Sequence, residues 1–130
     1  MKSETSFDLD GDLIVVAATV FGPGGRAQVR LVLDTGAVMT TLIPKIAESI
    51  GYTSVDRVAW SVMRTAVATE HGYIVRVAQV STLGFIVPGL HVDVSELGYG
   101  VDGVLGMNFL GDFNFEVRPA EQRIRLEKIV

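Results

Sequence analysis

The chain has 130 residues, a length that suits one domain, and its 48% apolar content with mean hydropathy +0.40 supports a packed core rather than intrinsic disorder. A net charge of −4 leaves no basic footprint for nucleic acid or for an anionic membrane surface. With no cysteine, a disulfide framework, a thiolate metal site and a cysteine nucleophile are all excluded.

Residues 1–10 read as a loose polar lead-in, too polar and acidic for a signal peptide. Leu13–Phe21 is the longest apolar stretch, rich in β-branched residues, and predicts a strand; it falls well short of a membrane span. These features point to a soluble, cytoplasmic chain. Gly22-Pro23-Gly24-Gly25 forces a turn, since no Lys-Ser/Thr follows to make a phosphate loop, and Ala27–Leu33 alternates as a second strand. That strand runs straight into Asp34-Thr35-Gly36-Ala37. Pro44–Ile50 then suits one or two helical turns, with proline at the start and Gly51 at the stop.

Val58–Val67 and Tyr73–Val80 read as the strands of a long hairpin, with Thr69-Glu70-His71-Gly72 as its polar tip. Leu83–Val94 supplies one or two further strands broken at Pro88-Gly89. Val101–Gly106 is apolar strand again, Met107–Leu110 opens a short helix, and Gln122–Val130 alternates as a terminal strand. The sum is an all-β, barrel-like domain with one or two short helices. His71 and His91 are too far apart for a helical metal pair, so no metal and no cofactor is expected.

Asp34 carries the chemistry. An aspartate buried at the end of an apolar strand is costly unless it has a partner or a task, although Asp-Thr-Gly alone is also an ordinary turn. About seventy residues downstream comes Val104-Leu105-Gly106, inside the run Asp102–Leu110. The two motifs in this order, with the hairpin between them, resemble the retropepsin family of aspartic proteases over nearly the whole chain, and its cellular and bacterial members in particular.

The resemblance implies a single retropepsin-like domain over 1–130, a closed acid-protease barrel acting as a twofold homodimer, and endopeptidase activity on an extended peptide or protein substrate. Asp34 is then the catalytic carboxylate; Thr35, Gly36 and Ala37 support its loop, and Val104, Leu105 and Gly106 pack beneath it. Thr69, Glu70, His71 and Gly72 form a flap tip, with Gly72 lending flexibility and Tyr73–Arg76 returning. Two carboxylates about 3 Å apart cannot both ionise, so one activates water while the other keeps a proton. The chain has one Asp-Thr/Ser-Gly triplet, so the second Asp34 must come from a second copy.

Where retroviral relatives carry an ion pair, after Asp-Thr-Gly-Ala and after the hydrophobic-hydrophobic-Gly motif, this chain has Val38 and Met107. That is a paired swap to apolar contact. The alternative it raises is a weak or inactive retropepsin-like dimerisation or peptide-binding module. A serine hydrolase has no nucleophile-elbow motif to support it.

Overall fold

The first ten residues form two strands, not a loose lead-in. The computed structural model describes residues 1–64, 69–98 and 100–129. In chain order its strands are β1 (Lys2–Ser6), β2 (Asp8–Asp10), β3 (Leu13–Gly22), β4 (Gly25–Leu33), β5 (Thr40–Leu42), β6 (Ala59–Arg64), β7 (Thr69–Arg76), β8 (Gln79–Thr82), β9 (Phe85–Pro88), β10 (His91–Val94), β11 (Gly103–Leu105), β12 (Phe113–Arg118) and β13 (Arg123–Lys128). Two short helices, α1 (Pro44–Ser49) and α2 (Met107–Leu110), interrupt them.

Tertiary partners make a strand of β1 despite its polar composition. It runs antiparallel to β13, where Glu4 pairs with Arg125 at 3.1 Å and with Arg123 at 3.8 Å. Phe7, which follows, is buried in the core and donates its N–H to the Gln122 carbonyl. Weak strand propensity yields here to burial and cross-strand charge. The resulting sheet has the order β1-β13-β12, so β13 already has one of the chain's own strands on each side.

The larger sheet follows the path β6-β7-β10-β5-β11-β4-β3-β8-β9, with β2 added to β3. Among the described residues no pairing joins β9 back to β6, so the path is open where a closed barrel was expected. The fold is mostly β with two short helices, as the turn signals indicated. Side-chain alternation gives the sheet two faces. Val29, Leu31, Leu42, Val92, Val94 and Leu105 enter the main core with Phe109, Leu110, Ile124 and Leu126. Val32 and Val104 lie on the opposite face in a small cluster with Val101, Leu13, Ala37 and Leu97.

Two strand boundaries differ from expectation. The run Tyr73–Val80 is cut at Val77-Ala78, because the Ala78 N–H bonds the Tyr52 hydroxyl at 2.8 Å instead of a strand neighbour. Thr69–Gly72 is not a hairpin tip but the start of β7, in register with Arg64–Ser61. Residues 65–68, which join the two strands, lie outside the described residues. Polar residues sit in that strand because its hairpin faces solvent: His71 and its cross-strand partner Val62 are both exposed.

Candidate active site

The site arises where two distant strands lie side by side. β11 pairs parallel with β4, setting Val104 against Val32 and Leu105 against Leu33. Asp34 and Gly106, each the residue after its strand, are thereby brought together. The Asp34 N–H continues the ladder by donating to the Leu105 carbonyl at 3.1 Å. Its side chain then caps the loop: Oδ1 accepts the Gly36 N–H at 2.8 Å, and the Asp34 carbonyl accepts the Ala37 N–H at 3.2 Å. The turn-capping role and the functional role are thus both open to the same carboxylate.

Contrary to the expectation of burial, Asp34, Thr35 and Gly36 are exposed in the single chain, and Val38 beside them is 78% exposed. Among the described residues, nothing covers the strand end enough to bury these three residues. Val38 therefore makes no buried contact with Met107, which instead packs against the main core. Backbone joins the two segments: the Met107 N–H donates to the Ala37 carbonyl at 2.8 Å, and the Asn108 N–H to the Val38 carbonyl at 3.0 Å.

Val104 and Leu105 support the loop from opposite sides. Leu105 is fully buried in the main core under it, while Val104 lies on the other face with Ala37. Thr69–Gly72 belongs to the β6–β7 hairpin, and no described hydrogen bond links these residues to the Asp34 loop.

Asn108 has a structural role that sequence reasoning missed. Its Oδ1 accepts from both the N–H and the hydroxyl of Thr40, at 2.9 and 2.8 Å, and its Nδ2 donates to the His91 carbonyl at 2.7 Å. The Thr40 hydroxyl oxygen in turn accepts the Gly106 N–H at 3.2 Å. One amide thus ties α2, β5 and β10 together behind the loop. A polar residue two positions after a glycine carries no such signal by itself. Asn108→Ala is expected to cost about 1–3 kcal/mol, since Thr40 is buried and loses its acceptor; chemical denaturation with an unchanged m-value checks it.

The sequence model of the aspartyl protease family matches residues 16–109, a span that holds both motifs. The chain belongs to the aspartyl protease family. Among solved structures, a retropepsin-like aspartic protease from Rickettsia conorii is similar at TM-score 0.73 and 18% identity, covering 97% of this chain and 91% of that one. The retroviral protease-like domain of Ddi1 from Leishmania major is similar at TM-score 0.61 and 14% identity, covering 93% and 97%. A search of curated protein sequences finds no match. These likenesses give the aspartyl protease chain a retropepsin-like fold. Among its described residues, no helix is long and apolar enough to cross a membrane.

Proposed function

We propose that this chain is an aspartic endopeptidase that works as a homodimer, with a water activated between two Asp34 carboxylates, one from each subunit. The observation that carries this reading is the exposed Asp34 on a loop tied by backbone hydrogen bonds to the Leu105–Asn108 segment. A side chain held this firmly yet open to solvent is preorganised for work outside its own protomer. One protomer supplies one carboxylate, and the chemistry needs two, so a twofold axis beside the loop completes the site.

In this reading the ionised carboxylate takes a proton from water as the water attacks the scissile carbonyl. The protonated partner gives its proton to the carbonyl oxygen, forming a gem-diol. The carboxylate that took the water proton then passes it to the leaving amine as the C–N bond breaks, and the partner recovers a proton from a gem-diol hydroxyl as the new carboxyl group forms. Gly36 keeps the loop slim enough for its mate to approach. The β6–β7 hairpin closes as a flap over an extended peptide, with Thr69–Gly72 on its returning strand, excluding water from the reaction. The apolar cluster of Val32, Val101 and Val104 beside Ala37 offers a wall for an apolar substrate side chain next to the cut.

The test is cleavage of a peptide library between about pH 4 and 7, where one carboxylate of such a pair keeps its proton, with inhibition by a statine-type transition-state mimic. Dilution adds a second arm. Specific activity is expected to fall as dimers dissociate, in step with mass measured by sedimentation. A rate per chain that ignores concentration down to the monomeric range contradicts a shared site. A protein that is dimeric yet cleaves nothing is the peptide-binding module instead, a reading that the apolar Val38 and Met107 pair favours.

A further inference from the structure

Asp93 is a buried carboxylate that the proposed chemistry leaves unused. It lies in β10, 8% exposed, paired with Ile74 on one side and Thr41 on the other. Thr41 pairs with Val104, and Val104 with Val32. Directly paired residues share a face, so Asp93, Thr41, Val104 and Val32 form a row across the face opposite the main core. Val32 is two residues before Asp34 and on the same side of its strand. The row therefore leads from the candidate catalytic loop, through two valines, to a carboxylate.

Next to this row stand two serines. Asp93 Oδ1 accepts both the Ser61 hydroxyl at 2.6 Å and the Ser95 hydroxyl at 2.8 Å. Gly72 makes room for them. A Cβ at position 72 would lie within 3 Å of both serine hydroxyls and of the Val94 carbonyl, so this glycine serves close approach, where flexibility was expected. Among the described residues Oδ2 takes no hydrogen bond and no lysine or arginine pairs with the carboxylate. The face thus changes from apolar at Val32 and Val104 to acceptor-rich at Asp93, which Ser61 of the edge strand β6 reaches past Gly72 of β7.

We infer that Asp93 is a specificity-determining residue, selecting at one position near the scissile bond a hydrogen-bond-donating side chain, lysine or arginine first, over an aliphatic one. The inference rests on the proposed function, which lays the peptide along this face beneath the hairpin. The serines fix Oδ1 and leave Oδ2 for the substrate. An aliphatic side chain set against it removes the remaining solvent from a charge and returns no hydrogen bond, whereas a cationic donor returns a charge-assisted one.

The experiment profiles extended peptides varied between Lys, Asn and Leu at each position around the cut. The same peptides are also titrated calorimetrically onto Asp34→Asn, so that preference is read without turnover. At one position the wild type is expected to favour Lys over Leu by about tenfold or more. Asp93→Asn retains an oxygen for both serine hydroxyls, and is expected to abolish the lysine preference while still accepting Asn. Asp93→Leu is expected to reverse it. A wild type that takes Leu as readily as Lys everywhere, or an Asp93→Asn profile identical to wild type, overturns the inference while leaving the peptidase reading intact. A protein that neither cleaves nor binds any peptide overturns both.

Discussion

Asp34→Asn is expected to lower kcat on peptide substrates by on the order of a thousandfold or more while leaving the fold untouched. The amide is isosteric, and its oxygen still accepts the Gly36 N–H that caps the loop. Because the side chain is exposed in the single chain, the exchange buries no new polar group, and stability should stay within about 0.5 kcal/mol of wild type. An asparagine neither takes a proton from water nor donates one to a carbonyl as an acid, and in the proposed dimer the defect falls on both sides of the site. Mixing adds a sharper reading. A heterodimer of wild-type and Asp34→Asn chains has one carboxylate and is expected to be inactive, so titrating variant into wild type should reduce activity faster than simple dilution does. Circular dichroism and sedimentation confirm that the variant is folded and assembled as wild type is. Activity that survives the substitution sinks the mechanism, whatever its pH profile.

Much of the fold was legible because local chemistry and tertiary structure agree over the middle of the chain. Gly22-Pro23-Gly24-Gly25 closes the β3–β4 hairpin with Gly22 opposite Gly25, and Pro44 and Gly51 bracket α1. Met107–Leu110 is a helix, and Ile124 and Leu126 are the buried residues of the terminal strand. The misreadings fall where a distant partner decides. Nothing in Lys2–Ser6 announces a strand until Arg123 and Arg125 meet Glu4 across it. Phe113–Arg118 is the exception: it alternates Phe113, Phe115 and Val117 with polar residues, a local strand pattern that drew no prediction, and it is β12. The hairpin register was displaced because a polar Thr-Glu-His-Gly run looks like a turn; in a hairpin open to solvent, polarity does not mark the bend. At the site, the pairing of Asp34 with the Val104–Gly106 motif came from order along the chain, and the parallel β4–β11 contact supplies its physical cause. Asp93 and Asn108 were not legible, since their roles depend on which oxygens and N–H groups the other strands bring to them.

The second large effect is expected at Gly106. Its backbone is extended, with φ −105° and ψ −176°, so any residue could adopt its conformation; what the position demands is space. A Cβ there would lie 2.6 Å from the Met39 carbonyl carbon and oxygen and 2.9 Å from the Ala37 carbonyl oxygen. These are backbone atoms of the segment that leaves Asp34, and they cannot swing aside as a side-chain tip does. The Gly106 N–H is also committed to the Thr40 hydroxyl, and its carbonyl to the N–H groups of Phe109 and Leu110, so the glycine cannot retreat either. Gly106→Ala is therefore expected to destabilise the protein by about 1–3 kcal/mol, the range for overpacking a tight interior. Gly98→Ala is the control, since a Cβ there meets nothing within 4 Å. The effect on activity should exceed what the lost folded fraction explains. Pushing residues 37–39 outward strains the Met107 N–H to Ala37 bond and tilts the Asp34 loop, and a displacement of about 1 Å at reacting groups costs on the order of a hundredfold. Measured at a temperature where both variants are folded, kcat should therefore fall for Gly106→Ala and stay at the wild-type value for Gly98→Ala. A Gly106→Ala protein with wild-type stability and turnover would mean that the two motifs are neighbours without being one unit, and the loop's rigidity would need another source.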